Sequence, residues 1–254
     1  MTWSILARDT DGSFGVAIAS RFLAVGGLCI HTHHAAGALS TQALLNPLYG
    51  AAGIERLAAG EAPDAVVDAL TSADGGRDHR QLHLIGAHGS PAAFTGASCV
   101  HWCGHRLEST FSVAGNMLAG PEVLDETARV FLQMQGEPLV ERLLAAMAAG
   151  QAAGGDKRGQ QAAALRIQAQ EVYPALDLRV DDHETPLAEL ERLYRKSLER
   201  FQPFVACLPR RDDPVGVTDR HELETRIERF RADRLGTAEP LAGPQGGERA
   251  GPGQ

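Results

Sequence analysis

Over the first forty residues, apolar positions come in short runs separated by turn-forming residues, a pattern that predicts strands. Trp3 to Arg8 (WSILAR) alternates, and Asp9-Thr10-Asp11-Gly12 supplies turn chemistry. Phe14 to Ser20 (FGVAIAS) follows as a more continuously apolar strand, so a hairpin is the simplest reading. Leu28 to His33 and Ala38 to Ala43 predict two further short strands. The pattern then lengthens to a helical period. Asn46 as N-cap with Pro47 at the first helical position opens a helix that runs through Ile54 and Leu57 and stops at Gly60. A second helix, 63–72, is closed by Asp74-Gly75-Gly76. Strands are predicted again at 81–87, 92–96, 100–105 and 110–114, then helices at 122–134 and 137–149. Strands at 161–168 and 177–181 precede a helix at 186–201. Paired helices between runs of strands predict an α+β layered fold and argue against strict βαβ alternation.

Composition narrows the class. The 254 residues carry 24 Lys+Arg against 32 Asp+Glu, a formal net charge of −8, and 44% are hydrophobic. An acidic chain without a basic run is a poor nucleic-acid binder, because that affinity comes mainly from phosphate neutralisation. No apolar stretch approaches the ~18 residues of a membrane span. Arg8, Asp9 and Asp11 interrupt any signal-peptide core. Four scattered cysteines do not make a disulfide scaffold. These features lead to the expectation of a cytoplasmic protein with no nucleic-acid or membrane partner. The domain expected to carry the chemistry covers 2–208. An extension at 209–254 follows, with a polar helix from Arg220 to Leu235 and a Gly/Pro-rich tail over 236–254 expected to be disordered.

Thr2 is the first candidate for chemistry. Once an initiator Met is removed, a terminal threonine carries a hydroxyl and a free amine on adjacent carbons. The amine, with a pKa of about 8, can take the hydroxyl proton, so one residue supplies both nucleophile and base. Thr2 leads directly into a strand, and the next strand ends in Ser20-Arg21, which puts a cation beside the start of its neighbour. This opening resembles that of N-terminal-nucleophile (Ntn) hydrolases, including proteasome β-subunits, in which a nearby basic side chain tunes the amine.

Longer strings extend the likeness. They are TWSILARD at 2–9, GVAIASRFLAVG at 15–26, STQALLNPLYG at 40–50 and TG…C…W.GH within 95–105. GN at 115–116, AAGGDKRGQQAAAL at 152–165 and RVDDH at 179–183 complete the set. Together they resemble the family catalogued as domain of unknown function 1028, regarded as uncharacterised Ntn-hydrolase superfamily proteins. The resemblance spans about residues 2–200 and implies a four-layer α/β/β/α sandwich. It names no substrate. Cys103 and the run His31-Thr32-His33-His34 depart from the expected pattern.

Further constellations have less specific chemistry. Asp156 and Arg158 sit among glycines (GGDKRG), which permit close backbone approach and suit a polar ligand site. A guanidinium there fits a carboxylate. Asn116, after Gly115, could stabilise an oxyanion. Thr41-Gln42 could add hydrogen bonds to the same cleft. Asp181, Asp182 and His183 offer carboxylates and an imidazole, but neighbours on a strand face opposite ways, so a substrate-orienting or structural role is favoured over metal. Cys99, His101, Cys103 and His105 have the period of one strand face. That spacing is poor for zinc, and His105 is expected to face the site. His31 and His33 share a face by the same logic.

The expected function is therefore an Ntn amidohydrolase that cleaves a small amide or peptide bond. Thr2 is the nucleophile, Arg21 tunes the amine and Asn116 stabilises the oxyanion, while His105, Asp156 and Arg158 bind substrate. No cofactor or metal is required, and homo-oligomers are expected by analogy. Two alternatives remain: an Ntn-like scaffold that binds a metabolite or peptide without turnover, and a metal-dependent hydrolase.

Overall fold

The computed structural model describes residues 2–236. Met1 and the greater part of the tail expected to be disordered lie outside the described residues. The described chain divides into two compact units, residues 2–194 and 195–236.

The first unit is mixed α+β with antiparallel sheets. In chain order it runs β1 (Thr2–Arg8), β2 (Phe14–Ser20), α1 (Gly26–Cys29), β3 (Ile30–His33), β4 (Gly37–Ala43), α2 (Leu48–Ala58) and α3 (Pro63–Ser72). A 3-10 turn at Arg77–His79 leads into β5 (Arg80–Gly86), β6 (Ala92–Thr95), β7 (Trp102–Leu107) and β8 (Phe111–Leu118). Then come α4 (Glu122–Gln133), α5 (Leu139–Ala152), β9 (Ala162–Gln168), β10 (Leu176–Val180) and the start of α6 (Pro186–Glu199). The second unit holds the end of α6, α7 (Phe201–Val205) and α8 (Arg220–Leu235). Asp219 caps α8 by accepting from the Glu222 N–H, and Gly236 closes it in a left-handed conformation.

Six strands form one sheet in the order β10-β9-β2-β1-β8-β7, and four form another in the order β3-β4-β5-β6. The period-two pattern of β1 explains how the first sheet packs. Trp3, Ile5 and Ala7 join a cluster with Leu124, Phe131, Leu143 and Met147 of α4 and α5. Leu6, on the opposite face, joins Val16 and Ile18 of β2 and Ile30, Ala38 and Ile85 of the second sheet. A third cluster sets Leu39, Leu82 and Leu84 of the second sheet against Tyr49, Leu57, Val66 and Leu70 of α2 and α3. Burying each such large side chain contributes ~1.5–3 kcal/mol.

Most elements fall where the pattern predicts them, and the differences have identifiable causes. Leu28 and Cys29, expected to open a strand, instead close a short helix at 26–29, so β3 starts only at Ile30. Asn46 accepts from the Leu48 N–H at 3.1 Å and caps α2 slightly further out than expected. β7 starts at Trp102, because His101 has a φ of 56° and breaks the period across 99–105. β8 runs on to Leu118, so Gly115 and Asn116 lie within a strand; Asn116 pairs with Thr2 on one side and Cys103 on the other.

Candidate functional site

The hairpin register sets Thr2 opposite Ser20, and the β1–β8 register sets Thr2 opposite Asn116. Central strands on both sides bury all three residues: Thr2 is 6% exposed, Asn116 1% and Ser20 0%. The Thr2 and Ser20 hydroxyls are 3.0 Å apart. Asn116 Nδ2 donates to the Thr2 carbonyl at 3.4 Å and to Gln81 Oε1 at 3.0 Å.

Past the end of β2, the glycine-flanked loop closes on this corner. Gly154, Gly155 and Gly159 all have positive φ, a conformation that side-chain-bearing residues rarely adopt. The loop is tied to the end of β8 by a Leu118–Asp156 bridge and by the Ala119 N–H donating to the Gly155 carbonyl. The Asp156 carboxylate is fully enclosed. It accepts from the Arg158 N–H at 2.7 Å and the Arg21 N–H at 3.2 Å, and its second oxygen lies 3.5 Å from the Arg158 guanidinium. Arg21 donates through Nη1 to the Arg158 carbonyl. Asp156 thus ties the Arg21 and Arg158 backbones together just past Ser20, at the end of β2.

A buried polar chain, which the sequence reading missed, backs the site. Ser4 donates to Gln42 Oε1 at 2.9 Å and lies 2.7 Å from His83 Nε2; His83 Nδ1 lies 2.8 Å from the Ser112 hydroxyl. With Ser4 donating to Gln42, His83 carries its proton on Nε2 and accepts from Ser112 at Nδ1. Gln42 Nε2 donates to Gln81 Oε1 at 2.7 Å, and Gln81 Nε2 reaches the Gly115 carbonyl at 2.9 Å, the Gly104 carbonyl at 3.0 Å and the Thr95 hydroxyl at 2.9 Å. Burial pushes His83 down to about 3, with a smaller effect from His105, so the ring is neutral. Gln42 was expected only to add hydrogen bonds to the cleft, Ser4 was visible only as a polar residue at a strand position, and nothing in the linear pattern pairs them with Gln81 and His83.

The remaining candidates are distributed as follows. His105 bonds the Thr95 hydroxyl at 2.9 Å, so it reaches Asn116 only through Thr95 and Gln81 and does not join the arginines; burial holds its pKa below the usual imidazole range. Gln42 belongs to the buried chain, whereas Thr41 turns to the Asn46 carbonyl at 3.2 Å. Asp181 pairs with Arg179 at 2.9 Å while Asp182 accepts from Gln161 Nε2 at 3.0 Å, so the two carboxylates take different partners. Cys103 donates to the Cys99 carbonyl, and burial raises both thiols, which disfavours thiolate chemistry. His31 sits 3.2 Å from the Leu28 carbonyl and His33 stacks on His34. Among the described residues, no group of three or more His, Cys, Asp or Glu is arranged to hold a metal ion, and no helix is long and apolar enough to cross a membrane.

Part of the backbone strain adjoins these residues. Among the described residues, the non-glycine positions with positive φ are Ala24, Ala43, His101 and Met117. Ala43 directly follows Gln42, and Met117 directly follows Asn116. Such conformations cost of order 1–3 kcal/mol each and persist where surrounding structure enforces them, often at functional sites.

The sequence matches the model of a family of unknown function, DUF1028, over residues 2–190. The crystal structure of SPO2555 from Silicibacter pomeroyi, described as a DUF1028 protein, is 31% identical, with a TM-score of 0.79; the likeness covers 86% of this chain and 99% of that one. More distant are Anbu (ancestral beta-subunit) from Yersinia bercovieri, 10% identical with a TM-score of 0.42 over 77% of this chain and 94% of that one, and an Anbu (Gly-1) mutant from Hyphomicrobium sp. strain MC1, 12% identical with a TM-score of 0.42 over 78% and 95%. No curated protein sequence matches the chain. With the family model covering residues 2–190, the chain belongs to the DUF1028 family.

Proposed function

We propose that the protein is an Ntn amidohydrolase acting on a small amide or short peptide, with Thr2 as nucleophile. The observation that carries this reading is the corner itself: the Thr2 hydroxyl is 3.0 Å from Ser20, Asn116 holds the Thr2 carbonyl, and the Arg21 backbone is bound to Asp156. We read the three packing clusters as the interfaces of a four-layer α/β/β/α arrangement, with Thr2 at the start of a central strand. The four cysteines are free, which suits a reducing, cytoplasmic setting.

In the proposed reaction, cleavage after Met1 exposes the Thr2 amine. Thr2 Oγ1 attacks the substrate carbonyl carbon while its proton passes to that amine, and the carbonyl π pair moves onto oxygen. The Asn116 amide contact to the Thr2 carbonyl, at 3.4 Å the longer of its two, is the one an oxyanion would replace. Collapse breaks the C–N bond, the leaving nitrogen takes the proton and departs as an amine, and an ester on Thr2 remains. Water then hydrolyses the ester, giving the acid and restoring the hydroxyl. Arg21 disfavours protonation of the Thr2 amine, and Arg158 offers a guanidinium to an anionic substrate group.

The reading of a binding scaffold without turnover draws on one observation. Both N–H groups of the Asn116 side chain already have protein acceptors. Intact mass of the purified protein, followed by incubation with a peptide β-lactone, separates the two. Loss of Met1 and one added acyl mass, retained in Thr2→Ser and absent in Thr2→Ala, is expected. Retention of Met1 in material that acylates equally well as Thr2→Ala overturns the nucleophile assignment.

A further inference from the structure

Beside Arg21 lies a groove of about 530 Å³, lined also by Gln160, Gln161, Asp182, His183, Glu184 and Thr185. Backbone bonds fix it to the candidate site: the Gln161 N–H donates to the Ser20 carbonyl at 3.0 Å, and the His183 N–H donates to the Gln161 carbonyl at 2.8 Å. Three features of this lining bear on what it can bind.

Charges of both signs border the groove without neutralising one another. Among the described residues, the Arg21 guanidinium bonds only the Arg158 carbonyl, Asp182 accepts only from the Gln161 amide, and Glu184 has no ion-pair partner. Next, Gln160 Oε1 is a buried acceptor with no hydrogen-bond partner. Such an atom costs about 1–3 kcal/mol unless a donor reaches it. Finally, His183 accepts the Thr185 N–H at Nδ1 at 3.0 Å, so in the neutral ring the proton lies on Nε2, leaving that nitrogen as a donor.

We propose that this groove binds the zwitterionic group of an α-amino acid. Its carboxylate meets the Arg21 guanidinium and the His183 Nε2–H, and its ammonium meets Gln160 Oε1 with the Asp182 and Glu184 carboxylates. A purely anionic ligand would set its charge against the two carboxylates. A purely cationic one would face Arg21 and leave the guanidinium without its counterion. Only a ligand carrying both charges satisfies the set, and the ammonium brings the donor that Gln160 lacks. The inference deepens the amidohydrolase reading, and rests on it in placing the free α-amino acid group in the substrate away from the scissile amide.

The test is calorimetric titration of the full-length protein, and separately of Thr2→Ala, with L-alanine, L-alaninamide and N-acetyl-L-alanine. L-alanine is expected to bind at least tenfold more tightly than either capped form. Asp182→Asn with Glu184→Gln should erase its advantage over N-acetyl-L-alanine, and Arg21→Gln its advantage over L-alaninamide. Glu184→Gln alone, an exposed change, should lower the first advantage severalfold with the melting temperature unchanged. Equal binding of the three probes, no binding of any, or an advantage that survives the double substitution overturns the proposal. The preference in Thr2→Ala does not depend on the nucleophile. Preference without lactone acylation defeats the amidohydrolase reading alone, whereas acylation without preference defeats the groove assignment alone.

Discussion

Gln81 has no access to solvent, yet it bonds to Gln42, Asn116, Thr95 and the carbonyls of Gly104 and Gly115. Its amide is what aims Asn116 at the Thr2 carbonyl. Replacing it with an isosteric apolar side chain, Gln81→Met, leaves the Gln42 and Asn116 donors without their shared acceptor. Each orphaned donor costs ~1–3 kcal/mol, so urea denaturation should show a loss of ~2–6 kcal/mol. Ser20 has a narrower part. Ser20→Ala removes the hydroxyl partner of Thr2 at a cost of about 1 kcal/mol. Under the proposed mechanism it should also slow β-lactone acylation of Thr2 by about tenfold, the equivalent of about 1.4 kcal/mol in the barrier. An unchanged acylation rate in a folded Ser20→Ala protein would leave Ser20 a purely structural neighbour.

At the scale of elements, the placement of α5 on β2 depends on a missing side chain. A Cβ on Gly15 would meet Leu143 Cδ1 at 2.6 Å and Leu139 Cδ2 at 2.9 Å, so the helix rests directly on the strand. Gly15→Val should therefore destabilise the protein by ~1–3 kcal/mol through overpacking, read as a lowered melting temperature. Because β2 delivers Ser20 and Arg21 to the site, the same change should also lower the acylation yield. The extension of β8 to Leu118 has comparable weight. If that strand ended at Ala114, as its apolar pattern implies, Asn116 would lie in a turn. Pairing with both β1 and β7 keeps it in the sheet.

For the molecule as a whole, the buried chain makes stability depend on pH. His83 titrates near 6.5 when exposed and at about 3 when buried, so between these values the unfolded state binds the extra proton. Stability is full above about 6.5 and falls as the pH drops toward 3, by a few kcal/mol from this residue. Denaturant unfolding from pH 7 to 4 checks this. In His83→Gln, the slope of unfolding free energy against pH should be shallower by up to one proton. An unchanged slope would mean that another group governs the acid limb.

The strands of the first hairpin, the boundaries of α3 and α8, the glycine-enforced loop around Asp156 and the family likeness were legible in the sequence, because each rests on local propensity, turn chemistry or contiguous motifs. The placement of Ser20 opposite Thr2, with Arg21 next to it, was legible too, since hairpin register is a short-range property, whereas the contacts of Asn116 with Thr2 and of Asp156 with Arg21 span 114 and 135 positions. What only the tertiary structure decided is which polar residues meet across the two sheets. Ser4, Gln42, Gln81, His83 and Ser112 lie up to 108 positions apart, and their pairing depends on how one sheet faces the other. The same long-range packing separates His105 from the arginines and brings Gln160, Asp182 and Glu184 around one groove with Arg21. Period and propensity act over a few residues, whereas facing sheets bring together side chains that no local pattern connects.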